Sequence, residues 1–214
     1  VYVTRVIFDP LYRYDYLARP FRIVPNTAAA MPEISADGRT WTIKVRPGIH
    51  FADDPAFKGR KRELTAADYV YSWKRLLDPR VRAPSIENMT DRFVGDDAVL
   101  AAAKAAGKLD YDLPFEGVRA LDRHTIQLKL KYPDYDLLDD LAGPVMAAVA
   151  REVVETYGDA GNRVMANPVG TGPYMLKEWR RGQKIVLEAS PSFREEYFPD
   201  SSDPADKAIL AVMK

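Results

Sequence analysis

The chain has no cysteine, so it can make no disulfide and offers no thiolate as nucleophile or metal ligand. Histidine is nearly as scarce, with His50 and His124 the only two in 214 residues. A metal site needs three or four convergent ligands, so both histidines read as structural and no metal is expected. Net charge is missing as well: Lys plus Arg number 31 and Asp plus Glu number 31. Nothing in that balance favours nucleic acid or an anionic membrane as partner. The densest basic run, Lys58-Gly59-Arg60-Lys61-Arg62, is short and precedes an acid. No apolar run approaches the roughly 20 residues that span a bilayer, so no membrane-spanning segment is expected. The chain starts at Val1 rather than methionine and stops at Lys214 inside a helical pattern. A fragment of a longer protein is expected, and the lack of an export signal then carries no information.

A phosphate-binding loop is also incomplete. Gly170-Thr171-Gly172 has the first two glycines of a dinucleotide fingerprint, but the third is missing and no Gly-Lys-Ser/Thr follows. Pro173 comes next and has no N–H to offer an anion. Residues 174–188 then read as a hairpin with Gly182 in its turn, where a phosphate loop would open a helix. No Gly-x-Ser-x-Gly elbow occurs, so a serine hydrolase has no local signature. The acid pairs Asp53-Asp54, Asp96-Asp97 and Asp139-Asp140 lack a calcium-loop pattern and read as helix starts or solvated faces. No catalytic residue and no cofactor are expected.

What is present is patterned. Asp37-Gly38 marks a turn, after which Trp41, Ile43 and Val45 alternate with Thr42, Lys44 and Arg46 as in a half-buried strand. Residues 64–79 form the clearest helix. Thr65 is its N-cap, Asp68 the capping-box acid, Leu64 a staple against Tyr69, and Asp78-Pro79 the stop. Val70, Trp73 and Leu77 share one face. A second helix is expected over 97–106, ended by Gly107. Residues 117–133 read as a hairpin turning at Asp122-Arg123, with Ile126, Leu128 and Leu130 on one face. Asp136 caps a short helix that Gly143-Pro144 interrupts, residues 149–157 read as helical, and Asp203-Pro204 starts a last helix. Trp41, Trp73, Tyr69 and Tyr71 read as core residues; Trp179, beside a hairpin turn, has no assigned face. Strands and helices mix without a regular βα beat, which gives a mixed α/β (α+β) class. No linker shows in the composition, and Pro144 through Gly161 is the best candidate boundary.

Four of these segments, in order and spacing, resemble the family 5 extracellular solute-binding proteins, the receptors of peptide, dipeptide and nickel ABC importers. They are the Asp-Gly turn with Val45-Arg46-Pro47-Gly48-Ile49-His50-Phe51, the helix start Thr65-Ala66-Ala67-Asp68, the hairpin with its His124-Thr125 pair, and Gly170-Thr171-Gly172-Pro173-Tyr174. One departure stands out: residues 52–64 form a longer link without the family's usual Asp-Gly pair. The resemblance implies a type II periplasmic-binding-protein lobe plus a small outer lobe, truncated. Residues 10–150 correspond to the small outer lobe, residues 1–9 and 151–214 to pieces of the first ligand-binding lobe, and the second ligand-binding lobe lies outside the chain. It further implies a peptide or other small-molecule ligand, an ABC permease as partner, and a periplasmic or membrane-anchored extracellular location. By position, Ser85 is the residue carried over to the ligand, with Glu87 and Asn88 beside it in a polar loop; a plain solvated connection is the competing reading. Two rival functions remain open: a non-transport sensor or scaffold on the same fold, and a hydrolase with convergent carboxylates in a cleft.

Overall fold

The computed structural model describes residues 2–196 and 204–212. Helix α1 (Tyr2–Ile7) leads into a small hairpin of β1 (Tyr12–Tyr14) and β2 (Ile23–Pro25). Strands β3 (Glu33–Ile34) and β4 (Thr40–Lys44) follow, then helices α2 (Ala66–Leu76) and α3 (Asp96–Ala106). Strands β5 (Val118–Asp122) and β6 (Thr125–Lys129) complete an antiparallel sheet of order β3-β4-β6-β5. Two short helices, α4 (Leu137–Leu141) and α5 (Arg151–Tyr157), precede the hairpin of β7 (Tyr174–Arg180) and β8 (Lys184–Ala189). Helix α6 (Pro204–Val212) comes last; Asp203, expected to cap it, lies outside the described residues. This is the mixed helix and sheet layout that the interspersed patterns imply. Among the described residues no helix is long and apolar enough to cross a membrane.

The central sheet buries one face because its strands alternate. Trp41 pairs with Leu128 and Ile43 with Ile126, and all four are buried. Their neighbours Lys44 and Gln127 face outward or lie half-buried, as a period of two requires. Helix α2 packs over β5 and β6. Tyr69, Trp73 and Leu77 are fully buried, and the indole of Trp73 donates to the Met146 carbonyl at 2.8 Å. The start of α2 is held as its sequence implies. The Asp68 carboxylate accepts from the Thr65 N–H at 2.7 Å and from the Thr65 hydroxyl at 2.8 Å. It also takes the Arg62 guanidinium at 2.6 Å. Leu64 and Tyr69, the staple pair, are both in the core.

Three details depart from the sequence reading. The β5–β6 turn sits at Arg123-His124, one residue later than the pattern implies, because β5 bulges between Ala120 and Asp122. The extra residue lets the Asp122 side chain accept from the His124 N–H and the Thr125 hydroxyl. Helix α5 begins at Arg151, two residues after its expected start. Helix α3 begins at Asp96, whose carboxylate accepts from the N–H groups of Arg92 and Phe93 and so caps the turn ahead of the helix. Trp179 is half-buried in β7, opposite Ile185.

The long 52–64 link is well anchored. Phe57 is buried against Phe51, and Asp54 accepts from the Ala56 N–H and the Tyr157 hydroxyl, both at 2.8 Å. At its far end Glu63 accepts from the Gly48 N–H, from Arg123 and from His124 Nε2. The Gly48 N–H first, then Arg123, pull the Glu63 carboxyl down to about 2. A carboxyl depressed on folding stabilises the native state above its ordinary pKa of 4.5 and loses that contribution as pH falls towards 2. In the full-length protein, NMR titration should therefore give Glu63 a midpoint well below 4.5. The Glu63→Gln variant should lose part of the stability change between about pH 5 and 2; an ordinary midpoint would show that the three contacts do not persist in solution.

Candidate functional site

The Gly170–Tyr174 stretch is a backbone clasp. The Gly172 N–H donates to the Ile7 carbonyl at 2.9 Å, and the Gly170 carbonyl accepts from Ala52 N–H at 2.9 Å. The Pro173 carbonyl accepts from Ser190 N–H at 2.8 Å. Close approach explains the glycines: a Cβ on Gly170 would lie 1.9 Å from the Ile7 carbonyl oxygen, and one on Gly172 would lie 2.5 Å from that of Val6. Neither glycine has a left-handed φ, so space rather than backbone conformation demands them. Thr171 is buried between them and its hydroxyl donates to Asp9 at 3.4 Å.

Asp9 is the hinge of a polar cluster that this clasp assembles. Arg194 donates to Asp9 Oδ2 at 2.8 Å and to Asn26 Oδ1 at 3.0 Å. It also pairs with Glu196 at 2.5 Å, and Glu196 pairs in turn with Arg13 at 2.8 Å. Asn26 donates to Asp9 and to the Pro10 carbonyl. Burial would raise the Glu196 carboxyl, but Arg13 and Arg194 outweigh it and hold it below the usual glutamate value. The Nε of Arg194 is buried without a hydrogen-bond partner among the described residues. The cluster lines a cavity of about 360 Å³, to whose wall Arg5, Arg13, Tyr14, Pro173, Phe193 and Glu196 contribute. Charges of both signs therefore meet at one wall, next to aromatic surface. That wall can hold a zwitterionic or peptide-like group by ion pairing and stacking.

Of the residues singled out from the sequence, Pro173 lines this cavity, Gly172 and Thr171 lie behind it and bind Ile7 and Asp9, Gly170 packs against Ile7, and Tyr174 begins β7 with 44% exposure. Thr65 and Asp68 lie elsewhere, at the start of α2. Ser85 precedes a 3-10 turn, Ile86–Met89, anchored by buried Met89. Ser85 and Asn88 are half-buried and Glu87 exposed, and none of the three lines the cavity. Their side chains form no hydrogen bond with the other described residues. The acid pairs serve local roles: Asp54 and Asp96 cap turns, Asp139 meets the Tyr14 hydroxyl, and Asp140 pairs with Arg92. Asp9, Asn26, Arg194 and Glu196 escaped the sequence reading. Asp9 and Arg194 stand 185 positions apart, and no local pattern marks either.

Comparison with known proteins decides the family. The model for bacterial extracellular solute-binding proteins, family 5, matches residues 22–212. The chain belongs to this family. It is 30% identical to the periplasmic oligopeptide-binding protein OppA of Salmonella typhimurium, over 95% of this chain and 36% of that protein. The OppA structure from Burkholderia pseudomallei superposes with a TM-score of 0.67 at 29% identity, covering 88% of this chain and 33% of that one. That of Listeria monocytogenes OppA bound to peptide gives 0.66 at 25% identity, covering 89% and 34%. The chain thus spans about a third of the length of these family 5 relatives. The match from residue 22 onward includes the Gly170–Tyr174 motif, while Ile7, which the motif clasps, precedes the matched range.

Proposed function

We propose that the full-length protein is a solute receptor of an ABC importer, working outside the cytoplasmic membrane, and that its ligand is a short peptide. The observation that carries this is the Asp9–Arg194–Glu196–Arg13 cluster beside the family clasp, a wall of mixed charge suited to a zwitterion. The peptide-binding relatives support the ligand class. In this reading residues 10–150 form the small outer lobe, and residues 1–9 and 151–214 belong to the first ligand-binding lobe. The clasp supports that division, since it ties Ile7 to Gly172. The second ligand-binding lobe closes over the ligand and is outside this chain. Backbone hydrogen bonds hold the peptide while pockets tolerate varied side chains, and the loaded receptor presents it to the permease without chemistry. Ser85, Glu87 and Asn88 face the bound ligand from the outer lobe.

Native mass spectrometry of the full-length protein from its own host tests the reading. Co-purified masses matching short peptides are the expected result. A single non-peptide mass would replace the solute, and an empty protein that ignores a peptide mixture would favour a sensor or scaffold. For the loop, Ser85→Trp should weaken peptide binding about 10-fold or more, the loss of one well-placed contact. Unchanged affinity in a folded variant would remove Ser85 from the site.

A further inference from the structure

The 52–64 link, where the chain departs from its family's usual pattern, carries an unbalanced charge. Lys58, Arg60 and Lys61 are exposed, and none of them forms an ion pair among the described residues. The acids nearest on one side are already engaged. Glu63 binds Arg123 at 2.6 Å and Glu152 binds Arg62 at 2.8 Å. Arg62 is spent on Glu152 and Asp68, and Arg60 reaches Glu152 only at longer range. On the other flank Asp54 caps the turn, and Asp53 is exposed.

Between the turn and Arg123 lies an open cleft of about 370 Å³. Four cations line it, Arg60, Lys61, Arg62 and Arg123, against two carboxylates, Glu63 and Glu152. Counting Asp68, which holds Arg62 from behind, the cleft keeps a surplus of one positive charge, and its unpaired cations are Arg60 and Lys61.

The turn is also held in place. Phe57 is buried, Tyr157 fixes Asp54, and the Phe51 N–H donates to the Arg62 carbonyl at 2.9 Å. Lys58 adopts a φ of 54° and Gly59 one of 75°. A lysine in the left-handed region costs roughly 1 kcal/mol that glycine would avoid. Strain at such a position is the kind that marks a working turn. A fixed turn spares a ligand the entropy of ordering long side chains.

We propose that this cleft binds an oxyanion of the phosphate class, gripped by Arg60 and Lys61 with Arg123 at the rim. The unpaired Arg60 guanidinium and Lys61 ammonium suit such a group, while Arg123, whose Nε and Nη2 donate to Glu63, borders it. The same chemistry is offered by a soluble phosphate and by the phosphate of a lipid headgroup, and the test separates them.

Inorganic pyrophosphate is titrated into the full-length protein by calorimetry at fixed ionic strength, and vesicles of phosphatidylglycerol or phosphatidylcholine are tested by flotation. The variants are Arg60→Ala/Lys61→Ala and, as an equal loss of charge on exposed residues of α3 and its C-terminal end, Lys104→Ala/Lys108→Ala. Saturable pyrophosphate binding that weakens roughly 10-fold or more only in the first variant is expected, the loss of two charge-assisted contacts. Flotation with phosphatidylglycerol alone, abolished by the first variant only, assigns the phosphate to lipid. Absence of both, or equal weakening in the two variants, overturns the proposal.

Discussion

Gly170→Ala should destabilise the full-length protein by about 3 kcal/mol or more, at the upper end of what overpacking costs. The Cβ would stand 1.9 Å from the Ile7 carbonyl oxygen, and the atom it meets is backbone, which cannot swing aside as a side chain would. Relief requires separating residues 6–8 from 170–172, which breaks the Gly172-to-Ile7 hydrogen bond and drags Thr171 from Asp9. Gly182→Ala makes the contrast: that glycine has a φ of 73° but open space around its Cβ position. It should cost only about 1 kcal/mol, through backbone conformation alone. Urea unfolding of the two variants separates a clash from a conformational cost. Equal losses would mean that the clasp is looser in solution than its geometry.

Asp68→Ala is the second large effect, about 3 kcal/mol. The substitution removes the acceptor for the Thr65 N–H and hydroxyl and for two nitrogens of Arg62. The Asp68 side chain is 3% exposed and that of Arg62 24%, so the guanidinium would be left partly desolvated with Glu152 alone. Breaking one side of such a pair costs more than removing both. The double variant Arg62→Met/Asp68→Ala should therefore be less destabilised than the sum of its singles, by roughly 1 kcal/mol or more. Additive losses, measured by denaturant unfolding, would show that the two side chains do not act as a unit.

The parts of the fold that were legible in the sequence are those set by neighbours along the chain. Trp41, Ile43, Ile126 and Leu128 alternate, so their strands and buried face follow from a period of two. Thr65 and Asp68 stand at capping distance, so the start of α2 follows from three residues of spacing. The turn at Arg123 was missed by one position because a bulge is a property of the paired strands. The site was less legible for a related reason. The Gly-Thr-Gly-Pro-Tyr motif showed in the sequence because tight backbone contact allows few substitutes, but what it contacts does not show. Asp9 and Arg194 sit in segments with no periodicity, and only the folded chain makes them partners. Ser85 rested on resemblance of position and not on any chemistry that its own neighbours reveal.

The clasp has a consequence for how the molecule is made. The Ile7 carbonyl waits for Gly172, and Asp9 waits for Arg194. At ordinary synthesis rates of about 5–20 residues per second, that delay is roughly 8 to 40 seconds. During it the central sheet and α2 have all their own strands and can fold, while Ile7, buried in the finished structure, has nowhere to go. Val6, Ile7 and Phe8 thus wait for their clasp longer than the strands of the outer lobe wait for one another. A holding chaperone would find its footing there, and slowing translation between residues 153 and 170 would lengthen that exposure after most of the core residues, up to Val153, have been made.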